Sequence, residues 1–161
     1  MSARVCGAVI DSGNLHLREM YPQPHQGICA DLIATLEGIS REETELLAVE
    51  TQKRAAHAIE NGYFDKSLVT VYNDDGSVAL DKEEFPRPGT TAESLAGLKP
   101  SFAGLYAMPL DAEGLSYKKL VERTYPDLDI KHIHHGGNSS GVVDGAGAVV
   151  LASPEYAKAH G

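Results

Sequence analysis

The chain has 161 residues, the length of one compact domain, and its 42% hydrophobic and 23% charged residues are ordinary for a globular protein. Its formal net charge of −9 argues against nucleic acid or an anionic membrane as the main partner, because both require a clustered basic face. A local basic pocket for a small anion remains compatible with that charge. No apolar run reaches the roughly 18 residues of a membrane helix. The two cysteines, Cys6 and Cys29, have no CxxC spacing, which favours a reduced cytoplasmic protein.

The first third of the chain contains an irregular stretch followed by two predicted helices. Residues 1–24 lack clear periodicity and end in YPQP, whose prolines disfavour regular helix, so they are expected to form an irregular lead-in. The apolar spacing of ICADLIATLEG predicts a helix over residues 28–38 that ends at Gly38.

The second predicted helix begins at a capping box formed by Ser40 and Glu43 and ends at Asn61-Gly62. One narrow face of this helix is rich in alanine, which indicates close packing against a neighbouring element. Its residues are Ala48, Val49, Ala55, Ala56 and Ile59.

The middle of the chain predicts short elements. SLVTVYNDDGSVAL is typical of a β-hairpin with its turn at residues 73–76. An acidic, proline-bearing loop follows, and TTAESLAGLKPSF then predicts a short helix capped by Thr90 or Thr91 that ends before Pro100. LSYKKLVERTY, residues 115–125, predicts an amphipathic helix.

The last predicted elements surround a glycine-rich turn. IKHIHH, residues 130–135, is expected to be a strand that leads into the turn GGNSSG, residues 136–141. VVDGAG, residues 142–147, is expected to form a short helix, and AVVLAS, residues 148–153, a buried strand. Mixed helices and strands place the chain in the α/β class.

Three histidines, His132, His134 and His135, raise the question of a metal site, because imidazoles that alternate along a strand can converge on one ion. In a strand His132 and His134 share one face and His135 points away. No cysteine lies nearby to complete a ligand set, so a structural or substrate-facing role is favoured and no metal is expected.

Neither cysteine is expected to be a catalytic nucleophile. Cys29 lies near the start of a predicted helix, four residues after His25, and this is the more suggestive position of the two. Small buried cysteines are nevertheless common in ordinary cores. Cys6 lies in the unpatterned start of the chain.

The turn GGNSSG lacks the GK[ST] of a phosphate-binding P-loop and the GxGxxG spacing of a dinucleotide-binding turn. Two interpretations stay open on composition alone. The turn presents backbone N–H groups and hydroxyls to a ligand, or it is a tight turn in which Ser139 or Ser140 caps a helix.

Several segments together resemble the thiolase family in the family's order. GGNSSGVVDGAGAVVLAS resembles its GN[AS]SG turn and DGA helix, and PHQGICADLIA resembles its HxG segment. ISREETELLAVETQKRAAHAIENGYFDKSLVTV and RPGTTAESLAGLKPSF resemble two further blocks. The similarity runs from residue 25 to near the end of the chain and is strongest to 3-ketoacyl-CoA and acetyl-CoA acyltransferases. The longer segment over residues 103–130 favours a degradative branch.

The resemblance implies a division of the chain and of the chemistry. Residues 1–24 would be the lead-in, 25–131 the α+β loop domain that covers CoA, and 132–161 the terminal helix and strand of the N-terminal core. The C.S[GS], GHP and C.GGG motifs that carry thiolase catalysis do not occur in these 161 residues, so no catalytic residue is assigned and a fragment of an internal region is expected.

The resemblance also assigns coenzyme A or acyl-CoA as the substrate, with no covalently bound cofactor, and carries over five binding residues. Arg87 and Ser94 would lie near the adenine nucleotide, and Phe102 would pack against pantetheine. Ser140 would bond the pantetheine amide, and His25 would lie beside the pantetheine channel and the acyl pocket.

Two departures leave the acyl-chain preference open. Gln26 replaces a common methionine, and His135 stands where a small residue or threonine is frequent. Three functions are compatible with these observations. They are an inactive CoA-binding part of a thiolase, one chain of a split thiolase completed by a polypeptide that carries the missing motifs, and a non-catalytic oligomerisation module. A homo-oligomer is expected in each case.

Overall fold

A computed structural model describes residues 14–21, 23–141, 143 and 147–160. Helices and one two-stranded sheet make up its regular structure, a content compatible with the predicted α/β class. The helices are α1 (Leu15–Met20), α2 (Gln26–Glu37), α3 (Arg41–Glu60), α4 (Ala92–Ala96), α5 (Ala103–Ala107), α6 (Tyr117–Glu122) and α7 (Pro154–His160). The strands are β1 (Val71–Tyr72) and β2 (Val78–Leu80).

The two longest helices form where their end signals predict. Gly38 ends α2 in the left-handed conformation, with φ of 70°, which glycine adopts without a steric penalty. The Ser40–Glu43 capping box begins α3, because each side chain accepts a hydrogen bond from the other residue's backbone N–H. Asn61 caps the end of α3.

The hairpin and the short helices follow the same local signals. β1 and β2 pair antiparallel around the predicted turn, with Val71 opposite Leu80. Thr91, rather than Thr90, caps α4. The predicted helix over residues 115–125 is shorter, because Ser116 is its N-cap and the regular helix ends at Glu122.

The core lies where α2 meets α6 and the chain that follows α6. Its buried residues are Ile28, Tyr117, Leu120, Val121 and Ile130. Partly buried side chains from α5 and the loops around it complete the core: Phe102, Leu105, Tyr106, Leu110, Leu115 and Leu128. Outside this core, α3 packs against α4, and side chains of α3 bond the glycine-rich turn and the histidine before it.

Three predictions of secondary structure differ from the structure. A helix, α1, occupies part of the stretch expected to be irregular, and Asn14 caps it by accepting a hydrogen bond from the Leu17 N–H. Residues 130–135 form no strand ladder, because side chains bond their backbone groups instead of a neighbouring strand. The third difference concerns the end of the chain.

Residues 148–153 form neither a strand nor a buried element. Val149, Val150 and Leu151 are 86%, 91% and 92% exposed. An apolar run needs a partner strand and a covering layer to be buried, and the described part of the chain supplies neither to this segment. The predicted helix over residues 142–147 falls largely outside the described residues. The helix α7 was not predicted, although its Pro154 at the first position and its Ser153 cap are standard signals.

Candidate functional site

A fully buried carboxylate on α2 holds two of the three histidines. The carboxylate of Asp31 accepts hydrogen bonds from His132 Nδ1 at 2.8 Å and from His134 Nδ1 at 2.7 Å. The backbone N–H groups of Ile133 and His134 donate to the same carboxylate at 3.0 and 3.1 Å. The predicted alternation is therefore present, since His132 and His134 face one way, but its cause is a buried anion on a helix.

A second buried carboxylate, on α3, holds the third histidine. Glu45 Oε1 lies 3.0 Å from His135 Nε2 and 2.6 Å from Arg41 Nε. Burial by itself would raise the pKa of Glu45, but the hydrogen bonds from Arg41 and His135, together with the charge of Arg41, outweigh it and hold that pKa below its ordinary value. Glu45 therefore remains an acceptor for both partners at neutral pH.

Asn138 and Gly137 fix the position of the glycine-rich turn. Asn138 Oδ1 accepts a hydrogen bond from the His135 N–H at 2.7 Å, and its Nδ2 donates to Thr44 Oγ1 at 3.0 Å. A Cβ added to Gly137 would overlap the side chains of Leu95 and Leu98, so glycine lets the turn pack directly on the end of α4. This contact makes the turn one wall of a cleft.

The cleft has a volume of about 630 Å³ and brings two predicted binding residues together. Arg87 and Ser94 line it with Lys99, opposite the turn residues Gly137 and Ser139. The guanidinium of Arg87 and the ammonium of Lys99 form no ion pair with any residue that the structure describes. Two uncompensated cations beside a glycine-rich turn suit an anionic group.

The hydroxyl of Ser94 has restricted chemistry. It donates its proton to the Thr91 carbonyl oxygen at 2.7 Å and accepts from the Thr91 N–H at 3.1 Å as part of the α4 capping box. With its proton committed, the hydroxyl has a lone pair to offer to a ligand donor and no hydrogen to give.

Ser140 lies next to this cleft rather than in it. It lines two adjoining cavities, of about 330 and 910 Å³, and both share Phe85 with the Arg87 cleft. The larger is mainly apolar, and its walls include Ile59, Phe64 and Leu68. Phe85 therefore lies between a cationic cleft and an apolar one.

His25 and Phe102 form a separate pair above the core. Their ring centroids are 5.3 Å apart, and the His25 ring also meets Tyr117 edge-on at 6.4 Å. His25 caps α2 by accepting the Gly27 N–H at Nδ1. A Cβ at Gly27 would overlap the Phe102 ring, so this glycine sets how closely α2 approaches it. The structure thus groups the predicted residues as Arg87 with Ser94 and His25 with Phe102.

Cys29 is placed as a structural thiol. It lies in the first turn of α2, and its Sγ is 3.6 Å from the Pro24 carbonyl oxygen. Burial raises the pKa of the Cys29 thiol, which lowers the thiolate fraction at neutral pH. His25 uses its Nδ1 for the helix cap and forms no hydrogen bond with this thiol among the described contacts.

The residues that organise the site but that the sequence did not indicate are Asp31, Glu45 and Arg41. Their helical positions are clear in the sequence, but the histidine partners of Asp31 and Glu45 lie 101 and 90 residues away. Within residues 14–21, 23–141, 143 and 147–160, no three His, Cys, Asp or Glu side chains are arranged to hold a metal ion. Over the same part of the chain, no helix combines the length and apolar character needed to cross a bilayer.

Comparison with known proteins gives a consistent result. The family model described as the thiolase N-terminal domain matches residues 4–105. The acetyl-CoA acetyltransferase of Thiocystis violacea is 31% identical over 148 residues, which is 90% of this chain and 31% of that protein. The β-ketoadipyl-CoA thiolase of Pseudomonas aeruginosa is 33% identical over 90% of this chain and 30% of its own length.

A mammalian relative agrees. The mitochondrial 3-ketoacyl-CoA thiolase of Bos taurus is 34% identical over 146 residues, covering 89% of this chain and 30% of that protein. The chain therefore spans about a third of the length of the curated relatives it matches. With a family model that covers well over half of its residues, the chain belongs to the thiolase family.

Proposed function

We propose that this chain is the CoA-binding and oligomerisation part of a thiolase, an acetyl-CoA C-acyltransferase that cleaves or forms 3-ketoacyl-CoA. The observation that carries the proposal is the cleft that joins Arg87, Lys99 and Ser94 to the turn over residues 136–141. Two unpaired cations match the phosphates of CoA, and Ser94 offers an acceptor to an adenine amino group.

The other predicted residues extend the proposed binding path. Ser140 lies at the adjoining cavities, where its hydroxyl would bond the pantetheine amide. His25 and Phe102 would contact the reactive end of the pantetheine arm, which agrees with their position beside each other and outside the cationic cleft. In this arrangement residues 25–131 are the loop domain that covers the ligand.

Binding without catalysis is the expected behaviour of these 161 residues alone. Thiolytic cleavage needs a thiolate that carries the acyl group and an acid–base pair that moves protons. The raised pKa of Cys29 makes that thiol a poor nucleophile. Purified protein is expected to give no thiolysis of acetoacetyl-CoA, and turnover that Cys29→Ser abolishes would contradict this part of the proposal.

A second polypeptide that supplies the catalytic motifs is the alternative arrangement, and the exposed apolar residues at 149–151 favour a protein partner. The acyl-transfer step would then take place on the combined surface. Copurification with a chain that bears a C.S[GS] motif, with restored thiolysis, would support this arrangement over a homo-oligomer.

The CoA proposal is tested by calorimetric titration of CoA into the wild type and three alanine variants. A dissociation constant on the order of a millimolar, about −4 kcal/mol, is expected because the ligand is held from few sides. Arg87→Ala should weaken binding more than Ser140→Ala, since charge-assisted hydrogen bonds are roughly twice as strong as neutral ones. Added salt should weaken wild-type binding.

Arg54→Ala is the matched control. This substitution removes the same charge from the chain. Arg54, however, pairs with Glu50 on the exposed side of α3 and does not line the cleft. Equal losses in Arg87→Ala and Arg54→Ala would mean that net charge, and not the cleft, attracts CoA.

A further inference from the structure

The buried imidazole of His135 is held in one defined protonation form. The backbone N–H of Gly137 donates to His135 Nδ1 at 3.1 Å, so Nδ1 must be an acceptor and carry no proton. The proton of the neutral ring is therefore on Nε2, which lies 3.0 Å from the Glu45 carboxylate and donates to it. Both ring nitrogens therefore form hydrogen bonds, Nδ1 with the turn and Nε2 with Glu45 on α3.

The same carboxylate connects His135 to the opposite wall of the Arg87 cleft. Glu45 Oε1 also accepts from Arg41 Nε. The terminal nitrogen of Arg41 donates to three carbonyl oxygens at the end of α4, namely those of Leu95, Ala96 and Leu98, at 3.0, 3.1 and 2.7 Å. A continuous chain of hydrogen bonds thus runs from the turn through α3 to the end of α4.

We propose that His135 is a positioning residue for the ligand cleft, which sets the backbone of the turn at residues 136–141 against α3 and the end of α4. This inference rests on the proposed CoA-binding function of the same cleft. His135 lines the cleft beside Gly136 and Gly137, yet its two nitrogens face the turn and Glu45. It acts on ligand affinity by fixing the turn's shape before the ligand arrives, which reduces the ordering cost of binding.

Two isosteric substitutions separate the two hydrogen bonds. In His135→Asn the amide oxygen takes the place of Nδ1 and can accept the Gly137 N–H, but the side chain is too short to reach Glu45. In His135→Gln the amide nitrogen takes the place of Nε2 and can donate to Glu45, but Gly137 loses its acceptor. Both variants remove a buried imidazole, so a general loss of packing would affect them alike.

The decisive experiment measures CoA affinity, unfolding midpoint and hydrogen exchange of the Gly137 amide in both variants. His135→Gln is expected to weaken CoA binding about five- to tenfold and to speed Gly137 exchange, because one hydrogen bond to the turn is lost. His135→Asn is expected to keep affinity within about twofold and Gly137 protected, even where its unfolding midpoint is lower. His57→Asn and His57→Gln, at an exposed histidine of α3, are controls expected to change neither CoA affinity nor Gly137 exchange.

Nitrogen-15 spectra of the His135 ring give an independent readout. A pyrrole-type Nε2 and a pyridine-type Nδ1 are expected at neutral pH, whereas His132 and His134 should carry their proton on Nδ1, where Asp31 accepts it. A proton on His135 Nδ1 would overturn the inference. The inference would also be overturned if CoA affinity fell in both His135 variants in the same proportion to their loss of unfolding midpoint. A wild type that does not respond to CoA would instead overturn the proposed function, and with it the ligand role of His135.

Discussion

Two segments near the end of the chain are predicted alike from the sequence, but the structure holds one in place and exposes the other. Residues 130–135, the anchored segment, and residues 148–151, the exposed apolar segment, are both predicted as strands. The anchored segment is held by Asp31 and Glu45, while Val150 in the other segment is 91% exposed. Hydrophobicity does not explain this difference, since the exposed segment is the more apolar. The difference comes from buried hydrogen-bond acceptors on neighbouring helices, because these supply the partners that a sheet would otherwise provide.

Asp31→Ala should have the largest effect, since it removes the anchor of residues 132–134. Two histidines and two backbone N–H groups would lose their common acceptor in a buried site. The free energy of unfolding is expected to fall by about 3–5 kcal/mol in urea denaturation. Asp127→Ala, at an exposed loop residue, is the control and should change it by less than about 0.5 kcal/mol. A small loss in Asp31→Ala would mean that apolar packing alone holds the segment.

Gly27→Ala tests the packing of α2 against Phe102 and leaves the Asp31 carboxylate unchanged. The added methyl group would overlap the Phe102 ring and push α2 away from it, at an expected cost of about 1–3 kcal/mol. Thermal or urea unfolding gives the value, and near-ultraviolet circular dichroism reports the aromatic pair. Gly104→Ala has open space at its Cβ and is the matched glycine control. Equal stability of the two variants would contradict the close approach of α2 and Phe102.

Lowering the pH removes the stabilising contribution of Glu45, the carboxylate that holds His135. The pKa of Glu45 is lowered in the folded protein, so its stabilising contribution is complete above the unfolded value of about 4.3 and is lost as the pH falls below that value through the folded pKa. Unfolding free energy measured from pH 7 to pH 3 should therefore fall less steeply in Glu45→Gln than in the wild type. Parallel profiles would show that Glu45 does not titrate with folding.

Val150→Asp should have the smallest effect on folding, because the side chain is already in water. The free energy of unfolding is expected to change by less than about 0.5 kcal/mol. Self-association should fall, since a charge interrupts an exposed apolar run that recruits another copy. Light scattering at high concentration measures this. A wild type that is already monomeric would remove the basis for the homo-oligomer proposal.

Local structure was largely predictable from the sequence, because its causes lie within a few residues. The Ser40–Glu43 capping box, the left-handed Gly38 and the hairpin turn at residues 73–76 are present as predicted. The motifs that resemble thiolases also identified the family correctly. In each case the residues that decide the conformation are neighbours in the chain.

The site was less predictable, because its organising contacts join distant residues. Nothing near Asp31 or Glu45 indicates that each will be buried against a histidine about a hundred residues later. The prediction of a buried strand over residues 148–153 was wrong for the converse reason. Apolar side chains favour burial, but they do not supply the partner strand that burial requires. The division at residues 25 and 132 remains a prediction.

The most direct test of the account follows backbone amide shifts while CoA is added to the isotope-labelled wild type. Saturable shifts are expected at residues 87–99 and 135–141, where the cationic cleft and the glycine-rich turn meet, and none at residues 148–151. Saturation should occur at millimolar ligand. If the cleft amides do not respond at that concentration, or if the exposed apolar segment responds instead, the cleft is not the CoA site of this chain.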